Sequence, residues 1–295
     1  MQYVRARRVL WLILIANIIV ALAKAVFGLL AGSMSMVADA LHSTFDSVSN
    51  IIGIAAMTVA AMPPDQNHPY GHAKFETMGT LVVGGLLLLT AYWVITEGLA
   101  RITTGAAPNI TGLTIGVMAA TIVVNILVAW YERRAGEELG SSFLIADSKH
   151  TQSDILVSLS VLGGFGFVCL GYPLADPLIA LAIGAIIGKM GLSILKDAGM
   201  ILTDAATVNC EDAVRKAVTV ITGVQGYHRF RCRGGAGDRR ADIHVTVDPR
   251  MSVQTSHALT LEIEAAIIAA VPGMTEVIVH IEPGEEEDGA VSPPS

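Results

Sequence analysis

Two identical strings of metal-binding residue types lie inside long apolar runs of this 295-residue chain: Asp39-x-x-His42-x-x-x-Asp46 and Asp147-x-x-His150-x-x-x-Asp154. Imidazole with carboxylate is the ligand mix of zinc and its neighbours. Ionisable groups within a membrane span are costly and read as functional by default. Residues four apart share a helix face, so His42 projects with Asp46 and His150 with Asp154. Two helices, each offering one imidazole and one carboxylate, close a tetrahedral site of the kind zinc prefers. The plainer alternative is an i,i+4 hydrogen bond within each pair. It leaves unexplained why two spans carry the same costly residues at the same spacing. Asp39 and Asp147, a turn before each histidine, either orient the imidazoles from behind or line a water-filled access path.

Six further histidines fall into two groups. His68 and His72 share Asp65-Gln-Asn-His68-Pro-Tyr-Gly-His72, where one carboxylate and two imidazoles offer three ligands with a fourth position open. His228, His244, His257 and His280 lie in the polar last third. Cys169, Cys210 and Cys232 form no C-x-x-C pair and no even set, which argues against disulfides and against a thiolate-rich site.

The elements that must position these residues are legible in the hydropathy. The chain is 53% hydrophobic with a mean hydropathy of +0.59, too apolar for an ordinary soluble protein. Six runs have the roughly 20 apolar residues a spanning helix needs: 9–31, 34–61, 77–100, 110–131, 143–171 and 175–195. The second and fifth carry the two strings and must face a bundle interior. Arg5, Arg7 and Arg8 precede the first run, Lys74 follows the second, and Arg133 and Arg134 follow the fourth. By the positive-inside bias both termini are cytoplasmic. A basic start followed by an apolar stretch and Ala21-Leu22-Ala23 also describes a signal peptide, but the run continues to Ala31.

From Asp204 onward there are 14 acidic and 8 basic residues, against 12 and 11 before it. That acidity suits a cation-binding module and equally serves to keep a small domain soluble. The pattern predicts a helix over 210–220, strands over 227–232 and 240–247, a helix over 252–271 and a strand over 275–281. The order αββαβ is that of a compact ferredoxin-like α+β unit, metallochaperone-like in size. Residues 1–204 are then a six-helix membrane domain, 205–284 a cytoplasmic metal-binding and dimerisation domain, and 285–295 a disordered acidic tail. His244 and His280 fall on neighbouring strands, with Glu282 two residues on and on the same face. His228 opens the first strand and His257 sits in the second helix.

The combination resembles the cation diffusion facilitators, a family of dimeric divalent-metal/proton antiporters, over nearly the full length. The resemblance implies that His42, Asp46, His150 and Asp154 form the transport site, and the His-Asp/His-Asp set is similar to the zinc-type branch. It implies a metal-binding loop at Asp65, His68 and His72. It also implies a binuclear cytoplasmic site at a homodimer interface, at His228, His244, His257, His280 and Glu282, the last where relatives often show Asp. Lys74 and Asp204 match an intersubunit charge interlock near the membrane surface.

Metal binding requires neutral imidazole, so protons and metal compete for such a site, and that competition is a sufficient basis for antiport. The expected activity is proton-coupled efflux of Zn2+, with Cd2+, Co2+ and Fe2+ as further cargo, across the cell (inner) membrane by alternating access. Zn2+ is expected both as cargo and as a regulatory ion in the cytoplasmic domain. The expected partners are a second copy, metal ions, protons and the lipid bilayer, with no nucleic acid. No G-x-x-x-x-G-K-S/T string is present for ATP, and no H-E-x-x-H for an intramembrane metalloenzyme. The remaining rival is a membrane-anchored metal sensor or scaffold without transport.

Overall fold

A computed structural model describes residues 2–30, 34–104, 112–170, 172, 174–205 and 210–284, with the side chains of 27, 28, 30, 34–46, 104, 113, 114, 165, 168 and 169 outside that description. The chain divides into two compact units, Met1–Gly199 and Met200–Ser295.

The first unit is built from α1 (Gln2–Leu30), α2 (Met34–Ala60), α3 (Lys74–Thr104), α4 (Gly112–Leu139), α5 (Ser142–Cys169) and α6 (Ala175–Leu202). Among the described residues, four of these are long and apolar enough to cross a membrane: Gln2–Val26, Lys74–Thr103, Ile115–Leu139 and Ala175–Leu202. The other two are α2 and α5, the helices that carry the two ligand strings. Leu12, Ile19, Leu22, Leu89, Leu127 and Leu192 are exposed on the outside of the unit, as side chains facing lipid should be. Leu10, Met57, Val83, Leu87, Phe143 and Ile187 are fully buried and pack into one core.

The fourth apolar run was expected to break at Tyr131, but α4 continues to Leu139. Ion pairs one turn apart, Arg133–Glu137 and Arg134–Glu138 at 2.9 Å each, support that polar extension. Gly140, at φ +63°, then ends the helix in a conformation glycine adopts without strain. Ser141 caps α5 by accepting from the Leu144 N–H at 3.3 Å. Buried Glu76 of α3 accepts from the Ser141 hydroxyl at 2.7 Å and from the Phe143 N–H at 3.2 Å, which fastens α3 to the start of α5. A carboxylate at a helix N-terminus also complements the helix dipole.

The second unit contains α7 (Glu211–Val218), β1 (Gly226–Gly235), β2 (Asp238–Val247), α8 (Val253–Ala270) and β3 (Met274–Pro283), the expected αββαβ order. The sheet order is β1-β2-β3, with β1 antiparallel to β2 and β3 parallel to it. A parallel neighbour needs a crossover, which α8 supplies. Ser252 caps α8, accepting from the Thr255 N–H at 3.1 Å. Along β2, Ala241, Ile243, Val245 and Val247 are buried and join Val214, Val218, Ile263 and Ile267 of the two helices. Each such Val or Ile side chain contributes about 1.5–3 kcal/mol of transfer free energy. With that face filled by helices, the alternate residues Asp242, His244 and Thr246 are left on the other.

Candidate metal centres

In the tail unit the sheet assembles a row of imidazoles. His228 pairs across the antiparallel ladder with His244, and His244 pairs across the parallel ladder with His280. Simple alternation along β1 would turn His228 the other way. Phe230 and Cys232 pack against the core, and an even step back from them points inward. A β-bulge intervenes between His228 and Arg231, with Arg229 at φ +50°. The extra residue reverses the parity and brings His228 onto the open face.

Glu282 reaches all three rings. Its Oε1 is 2.8 Å from His244 Nδ1 and 3.6 Å from His280 Nε2, and its Oε2 is 3.0 Å from His228 Nε2. Ligand atoms of His228, His244 and Glu282 lie within 4.8 Å of one another, a spacing that one cation can bridge. The bond from His244, with the flanking imidazoles, holds the Glu282 carboxyl below its ordinary value of 4.5. His257 is exposed on α8, and one chain does not bring it to this group. Burial pushes the half-buried Cys232 thiol up to about 12, so it offers no thiolate at neutral pH.

The loop residues also converge. Asp65, His68 and His72 present ligand atoms within 4.8 Å of one another. Asp65 Oδ1 accepts from the backbone N–H groups of Asn67 at 2.9 Å and His68 at 2.7 Å, closing the turn. The His68 N–H, first among several donors and nearby imidazoles, holds the Asp65 carboxyl below its ordinary range. His72 is buried, and its Nδ1 donates to the Pro63 carbonyl at 3.1 Å. That bond occupies Nδ1, so Nε2, 3.5 Å from Asp65 Oδ2, is the ring nitrogen turned toward the cluster. Phe75 stands beside both rings, with centroid separations of 5.6 and 5.7 Å.

Half of the expected membrane site is described. His150 and Asp154 lie one turn apart on α5, with His150 buried and Asp154 half-buried. His150 Nδ1 has no hydrogen-bond partner among the described residues. The side chains of Asp39, His42 and Asp46 lie outside the described residues, although the backbone of α2 runs through them. Asp147 is buried, and Asn50 of α2, rather than an imidazole, donates to its Oδ2 at 2.8 Å. One turn further along, Gly53 of α2 stands against the Phe143 ring so closely that a Cβ there would overlap it.

Sequence reasoning did not single out Asn50 or Glu132. Glu132 of α4 is fully buried, its Oε2 accepts from the Thr151 hydroxyl at 2.9 Å, and its Oε1 has no partner among the described residues. Asp147 and Asp154 are near enough to repel it through the interior. The signal was available: a lone acidic residue beside the apolar run, eighteen positions before His150. Of the two interlock candidates, Lys74 is the exposed first residue of α3, and Asp204 pairs with Arg233 at 3.6 Å.

Residues 10–203 match the family model described as the cation efflux transmembrane domain, and residues 209–284 the one described as the cation efflux protein, cytoplasmic domain. The chain is 33% identical over 286 residues to metal tolerance protein C1 of Arabidopsis thaliana, covering 92% of this chain and 61% of that protein. It thus spans about three fifths of that relative's length. It is 31% identical to metal tolerance protein 2 of Oryza sativa over 94% of this chain and 78% of the relative. The magnetosome protein MamB of Paramagnetospirillum magneticum is 27% identical, with 93% of each chain covered. A solved MamM-CTD structure is 25% identical, covering 25% of this chain and 94% of that one, with a TM-score of 0.24.

Proposed function

This chain belongs to the cation efflux family, whose members are integral membrane transporters of divalent metal cations, and from that premise we propose that it exports Zn2+ in exchange for protons through a site shared by α2 and α5. The observation that carries this reading is the antiparallel register of those helices. Gly53 meets Phe143 and Asn50 meets Asp147, so three or four residues back along α2 match three or four forward along α5. Continued by one and two turns, that register would bring the α2 backbone at Asp46 level with His150 and at His42 level with Asp154. Two imidazoles and two carboxylates then surround one cation in the coordination zinc favours.

Loading such a site requires neutral imidazole and ionised carboxylate, so metal entry expels protons and proton entry expels metal. A proton gradient directed inward drives the cation outward as the helices rock about the site. In this reading residues 1–204 transport, and residues 205–284 bind metal and pair with a second copy. The loop cluster at Asp65, His68 and His72 and the tail cluster at His228, His244, His280 and Glu282 hold regulatory zinc. His257 and the Lys74–Asp204 interlock would act only between two copies. Both termini face the cytoplasm and the protein resides in the inner membrane.

Reconstituted vesicles with an imposed pH gradient test the proposal. Zinc uptake should rise with the gradient and fall to background in Asp154→Ala and His150→Ala, with both variants still inserted and monodisperse. Undiminished, gradient-independent flux in those variants would refute the site, and no flux in the wild type would favour a sensor without transport.

A further inference from the structure

A cavity of about 350 Å³ opens between the start of α1 and the end of α4, and it combines positive charge with an apolar wall. Arg5, Arg8, Val9 and Leu12 line it from α1, at the spacing of one helix face. Tyr131, Arg134 and Leu139 line it from α4, together with Glu138. Arg134 is committed within its own helix, donating to Glu138 at 2.9 Å and lying 5.6 Å over the Trp130 ring. Arg5 and Arg8 are exposed, and neither has an ion-pair or hydrogen-bond partner among the described residues. Three guanidinium groups against one carboxylate leave the cavity cationic. Beside them Trp11, Leu12 and Trp130 are more than half exposed, which suits hydrocarbon and the interface better than water.

We propose that this cavity binds the phosphate headgroup of an anionic phospholipid. Arg5 and Arg8 take the phosphate oxygens, and the acyl chains run down Leu12 and its apolar neighbours. Guanidinium suits this task because its planar fork donates to two phosphate oxygens at once. A basic pocket between helices, open sideways to the bilayer, selects a lipid over a free anion because the apolar wall contributes only when acyl chains are attached. The site shares no residue with the three metal clusters.

The test uses the full chain in detergent, titrated with phosphatidylglycerol or phosphatidylcholine and followed by native mass spectrometry. Neither this measurement nor its outcome depends on which way the protein faces in a membrane. Phosphatidylglycerol should be retained in preference to phosphatidylcholine. Arg5→Gln with Arg8→Gln should lower that retention on the order of tenfold. Arg5→Lys with Arg8→Lys should keep most of it, and Arg133→Gln, outside the cavity, should change nothing. Millimolar inorganic phosphate should not displace the lipid. Equal retention of both lipids, unchanged retention in the double Gln variant, or displacement by inorganic phosphate would each overturn the proposal.

Discussion

Asn50 and Asp147 join α2 to α5 by a buried hydrogen bond of 2.8 Å, and Asn17 of α1 supports Asn50 from behind, donating to its side-chain oxygen at 2.9 Å. The amide donates forward and accepts backward, so one side chain ties three helices together. Because Asn50 lies four residues after Asp46 and Asp147 three before His150, the same bond sets the level of the proposed ligands.

Removing this donor should therefore impair transport without removing a ligand. Asn50→Ala leaves Asp147 buried with one donor fewer, at a cost of about 1–3 kcal/mol. Zinc flux should fall on the order of tenfold, as when a group behind a metal ligand is lost. Asp147→Asn keeps a carbonyl oxygen for Asn50 and should fall less. Flux and melting temperature measured on the same preparations would separate the two effects, and equal flux in all three proteins would count against the register.

Close approach of α2 and α5 should also be visible at Gly53. A Cβ there overlaps the Phe143 ring, so Gly53→Ala should destabilise by about 1–3 kcal/mol. Phe143→Leu, added to it, should recover part of the loss, because the smaller side chain vacates the overlap. Two losses that simply add in thermal unfolding would show that the two residues do not touch.

Glu132 should show stability and activity moving in opposite directions. A fully buried carboxylate with one oxygen unpartnered among the described residues is costly to fold. Glu132→Met, of similar shape, should raise the melting temperature by about 2–4 °C while proton-driven zinc flux declines. Glu132→Gln, which keeps an acceptor for Thr151, tests whether the charge itself matters. A Met variant that is both more stable and fully active would reduce Glu132 to a packing residue.

The tail cluster predicts a pH dependence with a definite sign. Glu282 has a lowered carboxyl in the folded state, first because of the bond from His244, so folding favours its ionised form. The stability it contributes is present above the ordinary value of 4.5 and is lost as pH falls through the lower folded value. A carboxyl 13C titration of the zinc-free chain should place Glu282 below its ordinary midpoint, and His244→Ala should move it back up. A wild-type midpoint at the ordinary value would contradict the bond.

Zinc should draw paired tail domains together, since 14 acidic and 8 basic residues from Asp204 onward make two copies repel. Spin-label distances between the two tails should shorten on zinc addition and lengthen on chelation. His244→Ala with His280→Ala should blunt the change and reduce transport without abolishing it. Distances that ignore zinc would remove the regulatory role while leaving the membrane site standing.

Hydropathy alone determined the six long helices, and alternation the αββαβ order, because apolar run length and period are properties of consecutive residues. The strings around His42 and His150, and the pairs within them, were legible for the same reason: four residues make one helical turn wherever the helix lies. The face of His228 was not legible, because a single-residue bulge reverses it, and a bulge is a feature of two strands in register. The ties Asn50–Asp147, Gly53–Phe143 and Thr151–Glu132 join segments on different helices, and Glu132 looks by spacing like one more charge at a helix end. Which residues became buried, and which imidazoles met one carboxylate, was decided when helices and strands came to lie against one another, because burial and cross-strand register exist only between elements.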